Sequence, residues 1–173
     1  MSFDHEAFWS ARYRDAGDDY LFGTAPNKFL ASQAAHFGEG VSVLSVADGE
    51  GRNAVWLAEQ GCAVTATEIS AVALEKAARL ARARHVAVDF VRTDIFNWDW
   101  PNEAFDAVVG IFIQFAGPDE QPRQLAGMKQ AVRPGGLLFL QGYTPKQLEY
   151  GTGGPSAVEN LYTEALLRDV FCD

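Results

Sequence analysis

The sequence predicts an α/β domain, an open, doubly wound and mainly parallel sheet with helices on both faces. Three observations predict it. Short β-branched runs alternate with helix-length segments along most of the chain, and parallel neighbours need a crossover of about that length. The run 105–111 is almost wholly apolar, as a strand covered on both faces is. Right-handed crossovers then carry helices to both sides of the sheet. In such sheets ligands bind at the carboxyl ends of strands, so the residues just after each strand carry the search for function.

Two amphipathic helices, 4–14 and 27–37, open the chain. Residues 41–46 are the first strand, ending at Ala47-Asp48-Gly49-Glu50-Gly51. A helix over 53–60 follows, stopped by Gly61. Residues 63–67 form the second strand, and Ser70 caps a helix reaching about residue 84. Third and fourth strands fall at 88–91 and 105–111. A helix over 119–132 is stopped by Arg133-Pro134-Gly135-Gly136, and 137–140 is the fifth strand. Thr163 caps a last helix, with Glu164 in the first turn where the helix dipole favours an anion.

Composition bounds what this domain does. The 173 residues carry 14 basic and 23 acidic side chains, a net charge of −9, and the pI is near 4.7. An acidic surface repels phosphate backbones and anionic membranes. Cys62 and Cys172 form no disulfide framework or metal spacing, the N-terminus has no signal-peptide pattern, and no apolar run spans a bilayer. These features predict a soluble, cytoplasmic protein with a small-molecule substrate and neither nucleic acid nor membrane as partner.

The loop after the first strand is the first chemical signal. Gly49 and Gly51 permit a sharp turn and close approach to the main chain, and the N–H groups opening the next helix favour an anion. Glu68 ends the second strand, where a carboxylate accepts both hydroxyls of a ribose. Asp94 follows the third strand and can take a proton from an adenine amino group, or simply cap a turn. Gly49-x-Gly51-x-x-Ala54 also satisfies the nicotinamide fingerprint, so these residues alone leave the cofactor open.

Phe105-Asp106-Ala107-Val108-Val109 and Arg133-Pro134-Gly135-Gly136-Leu137-Leu138 complete an ordered set. Together with the glycine loop, Glu68 and Asp94, it resembles class I S-adenosylmethionine-dependent methyltransferases over roughly residues 40–145. Glu50-Gly51-Arg52-Asn53-Ala54, Thr144-Pro145-Lys146-Gln147-Leu148, Tyr150-Gly151-Thr152-Gly153-Gly154-Pro155, Trp9-x-x-Arg12-Tyr13 and Phe22-Gly23-x-x-Pro26-Asn27 look like the tellurite-resistance and thiopurine-methyltransferase-like branch. That branch methylates small molecules, often at soft sulfur, selenium or tellurium.

The resemblance implies strand order 3-2-1-4-5, with residues 1–38 as a helical lid, 39–145 as the cofactor-binding core and 146–173 as substrate loop and final helix of one domain. It implies S-adenosyl-L-methionine as cofactor and S-adenosyl-L-homocysteine as product. Ala47, Asp48, Gly49 and Asn53 would meet the methionine end. Glu68 would hold the ribose, Ile69 the adenine face, and Asp94 and Ile95 the adenine edge. Ile111 and Gln114 would line the passage to the methyl group. Trp9, Tyr13, Tyr20 and Phe22 would enclose the substrate, while Trp98 and Trp100 close a loop away from it. No catalytic base and no metal are expected, because a soft nucleophile ionised at neutral pH needs little base help.

The family usually has an acid where Ser45 stands and a glycine where Ala47 stands. Asp48 is expected to replace the acid. These departures keep a cofactor-binding protein without turnover as the alternative, with a nicotinamide-dependent oxidoreductase behind it. Too few residues follow the fifth strand for the two further strands of the family. The bare edge at 136–143 then invites pairing with a second copy or cover by the chain's own tail.

Overall fold

The computed structural model describes residues 3–172. Five strands form one sheet in the order β3-β2-β1-β4-β5: β1 Ser42–Val46, β2 Ala63–Glu68, β3 Asp89–Arg92, β4 Phe105–Ile111 and β5 Val132–Gln141. The pairs β1–β2, β2–β3 and β4–β5 are parallel. This is the doubly wound order of the sequence reading. The chain falls into two compact units, the first ending at Trp98 and the second beginning at Asp99.

In the first unit, β1 and β2 are followed by α3 (Arg52–Glu59) and α4 (Ala71–Ala83). Val43, Leu44 and Val46 of β1 and Val64 and Ala66 of β2 are buried with Ala54, Val55 and Leu57 of α3 and Ala73, Ala77 and Leu80 of α4. Ser70 caps α4, its Oγ accepting from Ala73 N at 3.3 Å. The same Oγ meets Ser10 Oγ of α1 (His5–Asp15) at 2.8 Å. Only His5 and Tyr13 of α1 are buried, and Phe8 is 43% exposed. His5 sits between the rings of Phe3 and Phe96.

The second expected helix is shorter than read. It is α2 (Lys28–Ser32) followed by a 3-10 turn, Ala34–His36. Gln33 N bonds to Leu30 O, three residues back, at 3.0 Å, and His36 N repeats the pattern to Gln33 O. The tighter winding ends the α-helix there.

The second unit holds β4, β5, α5 (Gln121–Ala131), α6 (Gln147–Tyr150) and α7 (Glu164–Phe171). Thr163 caps α7 as expected, accepting from Leu166 N at 3.1 Å. Trp100 packs its ring where a Cβ on Gly127 of α5 would stand. The Arg133-Pro134-Gly135-Gly136 segment, expected to separate helix from strand, lies inside β5. Val132 pairs with Phe105 and the next pair is Leu137 with Ala107, so residues 133–136 bulge out of register. Gly135 has φ +77°, and a Cβ on Gly136 would stand 2.8 Å from Asp106 O. Asp106 forms an ion pair with Arg133 across the bulge. The glycines thus make a bulge rather than a break. Leu137, beyond the bulge, is 43% exposed.

Candidate functional site

Twelve of the residues singled out from sequence lie in the first unit, and ten of them sit on the loops that end β1, β2 and β3 or on the N-terminal segment. Ala47 opens the loop after β1 with φ +48°, a left-handed conformation costly for a residue with a Cβ. Its N–H donates to Thr67 Oγ1 at 3.2 Å, and Asp48 N donates to Thr67 O at 2.9 Å. Both bonds tie the loop to β2.

Asp48 folds back over the start of α3. Its Oδ1 accepts from Ser45 Oγ at 2.6 Å and from Ala54 N at 3.2 Å. The residue is half-buried, with the carboxyl turned inward, and burial pushes that carboxyl up to about 7 against the pull of the Ser45 and Ala54 bonds. Ser45, standing where an acid was expected, therefore donates to the carboxylate three residues on.

Glu68 is buried at the end of β2. Its Oε2 accepts from Gly49 N at 3.0 Å and its Oε1 from Ser70 N at 2.9 Å. Burial raises its pKa, and these backbone donors oppose the rise. The Ile69 backbone N–H also bonds this carboxylate, which leaves about one of its four lone-pair positions open. The carboxylate is thus aimed by the glycine loop and by the cap of α4. Ile69 beside it is half-buried.

Asp94 caps a turn: Oδ1 accepts from Phe96 N at 3.0 Å and Oδ2 from Asn97 Nδ2 at 2.6 Å. Ile95 beneath it is buried. Asn53 is buried too, its Oδ1 accepting from Asn27 N at 2.9 Å. It fastens the residue that caps α2.

The two glycines have reasons the sequence did not supply. A Cβ on Gly49 would stand 2.8 Å from Tyr13 Oη, and one on Gly51 2.8 Å from Ala77 Cβ. The close approaches are to α1 and α4. Tyr13, buried, stacks on half-buried Trp9 with ring centroids 5.9 Å apart. Burial, followed by the nearby Glu68, Glu50 and Asp48 carboxylates, raises the Tyr13 pKa, so its hydroxyl stays a donor. Tyr20 donates from Oη to Lys76 O at 3.1 Å and packs against the Val55, Leu80 and Ala81 cluster. Phe22 is 49% exposed with the Arg52 guanidinium over its ring.

Sequence reasoning missed Lys76 and gave Glu50 no role of its own. Both are buried and their charges meet at 2.9 Å. The signal was present: Lys76 shares the inner stripe of α4 with Ala73, Ala77 and Leu80, where a solvated lysine does not belong.

Ile111 and Gln114 belong to the second unit. Ile111 ends β4, half-buried. Gln114 is buried, donates to Tyr143 O at 2.8 Å and Asn160 O at 3.2 Å, and accepts from Tyr143 N. Phe112, between them, has φ +56° and is 37% exposed, its ring 4.7 Å from that of Tyr143.

A family model described as a methyltransferase domain matches residues 43–136. Among solved structures, one reported for the conversion of a disulfide bond into a thioacetal group during echinomycin biosynthesis has a TM-score of 0.76 at 23% identity, covering 98% of this chain and 78% of that one. A TehB-like SAM-dependent methyltransferase from Corynebacterium glutamicum has a TM-score of 0.64 at 17% identity, over 96% and 80%. A SAM-dependent methyltransferase from Thiobacillus denitrificans, in complex with S-adenosyl-L-homocysteine, has a TM-score of 0.57 at 21% identity, over 80% and 55%. At these identities the likeness is one of fold. No curated protein matches the chain.

Proposed function

The chain belongs to the methyltransferase-domain family, and on that premise we propose that it transfers a methyl group from S-adenosyl-L-methionine to a small-molecule acceptor, in keeping with a soft sulfur, selenium or tellurium nucleophile. The observation that carries the reading is the buried Glu68 carboxylate at the end of β2, aimed by the Gly49, Ser70 and Ile69 backbone N–H groups and keeping a lone-pair position open. A ribose hydroxyl fits that position. The carboxylate, as an acceptor, therefore fits the ribose of such a cofactor.

When bound, the cofactor supplies a methyl group already activated on a sulfonium. What remains for the chain is binding, orientation and exclusion of water. Asp48 is the acid available for the cofactor's ammonium in place of Ser45, and a cation there would draw off its proton. Ala47 and Gly49 present backbone to the same end, beside Asn53. Ile69 gives the adenine an apolar face, and Asp94 and the Ile95 amide its edge. Tyr13 covers the glycine loop at Gly49 with Trp9 stacked on it, and Tyr20 and Phe22 keep the enclosing role of the resemblance. Ile111 and Gln114 keep the acceptor-side role of the resemblance. The neighbour reported for disulfide conversion adds a soft-sulfur precedent.

Calorimetric titration with S-adenosyl-L-methionine, S-adenosyl-L-homocysteine and NADH tests the cofactor. Binding of the first two and not the third is expected, and the reverse would overturn the reading. Turnover against a panel of thiols, selenite and tellurite then separates an enzyme from a binding protein without turnover, the alternative that strained Ala47 and acid-free Ser45 favour. Asp48→Asn is expected to weaken S-adenosyl-L-methionine binding about tenfold, the loss of one charge-assisted contact.

A further inference from the structure

The N-terminal segment is fastened to the glycine loop through one buried ion pair. Lys76 of α4 is 5% exposed and Glu50 of the loop 4%. All three ammonium N–H bonds are used: Nζ donates to Tyr13 O at 2.7 Å, to Asp19 O at 2.8 Å and to Glu50 Oε1 at 2.9 Å. The second Glu50 oxygen accepts from Leu21 N at 2.7 Å. Tyr20 Oη closes the set on Lys76 O. Three separate stretches of chain thus converge on one charge pair.

The segment held this way has no ladder of its own. After α1 ends at Asp15, no helix or strand begins until Lys28. The other polar contacts are lighter: one hydroxyl pair, Ser10 with Ser70, and the exposed ion pairs Glu6 with Arg92 and Asp18 with Arg79, of a kind worth little in solvent. Apolar side chains of equal volume would fill the space of Lys76 and Glu50 about as well. They would not grip Tyr13, Asp19 and Leu21 by their backbones.

What the grip sets is the position of Tyr13. Lys76 fixes its carbonyl, and its hydroxyl stands where even a methyl group on Gly49 would collide. Anything that lies along Gly49 has to share that space with Tyr13 or displace it.

We propose that Glu50 and Lys76 are positioning residues of a strap, residues 13–21, that they hold closed over the glycine loop, and that they set how long the amino-acid end of the cofactor stays bound. The proposal rests on the cofactor reading above. Neither residue touches the cofactor in it; both act through Tyr13.

Dissociation of S-adenosyl-L-homocysteine and the affinity for adenosine, which lacks the amino-acid arm, test it in Lys76→Met and in Glu50→Gln/Lys76→Met. The double variant leaves no buried charge unpaired and guards against loss of fold, checked by its melting temperature. Dissociation of S-adenosyl-L-homocysteine about tenfold faster, with adenosine affinity kept, is expected, because such effects fall on the off-rate. An unchanged off-rate in the folded double variant overturns the proposal, as does an equal loss for adenosine. Hydrogen exchange on the wild-type protein decides it without any variant. S-adenosyl-L-homocysteine is expected to slow exchange across residues 13–21 and adenosine is not; equal slowing by both overturns it. A wild-type protein that binds neither compound overturns the cofactor reading instead.

Discussion

The two units differ in the charged groups they bury. Among the described residues, the first buries Glu50, Glu68 and Lys76 beside the amides Asn27 and Asn53; the second buries Gln114, Gln121, Gln124 and Gln147, amides all. Both kinds do the same mechanical work, which is to pin irregular backbone that no ladder holds. Lys76 and Glu50 pin residues 13–21. Gln114 and Gln121 both donate to Asn160 O, and Gln147 donates to Pro155 O at 2.7 Å. An amide carries donor and acceptor together and stays neutral at any pH. A carboxylate accepts only, and its charge answers to protons and to cations. The difference teaches that the first unit is built to respond to charge and the second to hold shape.

The widest break in this contrast comes from removing one charge. Lys76→Met leaves Glu50 buried with Leu21 N alone of the two partners described above. The expected loss is about 3–5 kcal/mol, read as a lowered urea midpoint. Glu50→Gln/Lys76→Met is expected to recover most of it. A single variant as stable as wild type would show that the first unit does not depend on its buried charges.

The converse change puts a charge into the second unit. Gln114→Glu at neutral pH keeps an acceptor for Tyr143 N but turns a second oxygen toward the carbonyls of Tyr143 and Asn160. Those carbonyls lose a donor, and the expected cost is about 2–3 kcal/mol. Burial and carbonyl contact raise the pKa of the new acid. Its protonated form regains a donor, so the deficit shrinks as pH falls. A deficit constant from pH 4 to 8 would remove titration as its cause.

Asp48 carries the first unit's own pH dependence. Its folded value, about 7, lies above the ordinary value of 3.8, so the native state holds a proton that the unfolded chain releases. Unfolding therefore releases protons in this window, and stability falls as pH rises from about 4 through 7. Glu68, also raised by burial, acts in the same direction. In the second unit the raised group is Tyr162, a phenol pushed further from neutrality by burial. Asp48→Asn is expected to gain on wild type across that window by about 1–2 kcal/mol, after allowing for screening of a half-buried residue. Melting temperatures of both proteins from pH 4 to 8 measure it. Parallel curves would place the titrating group elsewhere.

Much of this was legible in the sequence where the signal is local. Ser70 and Thr163 cap the helices they were expected to cap, and Gly61 follows the end of α3. Signals that depend on distant partners were not. The Arg133-Pro134-Gly135-Gly136 segment carries the residues of a helix stop, and only the Phe105 and Ala107 register shows it to be a bulge. Gly49 and Gly51 were marked for the right loop, but their missing Cβ atoms make room for Tyr13 and Ala77. The stripe of α4 marks Lys76 as buried, but its acceptors lie 26 to 63 residues away and no local signal names them.

The smallest effect expected is at Ala47. Its φ of +48° places a Cβ in the left-handed region, at a cost of about 1–2 kcal/mol. Glycine removes that cost but restores freedom to the unfolded chain, worth roughly 0.4–1 kcal/mol. Ala47→Gly is therefore expected to stabilise the protein by no more than about 1 kcal/mol, read as a small rise in melting temperature. The strain is useful to the contrast between units because Phe112 carries its counterpart, at φ +56° in the second. Phe112→Gly gains the same backbone relief but gives up a ring packed against Tyr143, so its sign should be opposite. If both glycine variants stabilise, the ring contact at Phe112 counts for less than the strain it imposes. If neither does, Ala47 is held by Thr67 and the loop so firmly that its backbone gains nothing from glycine.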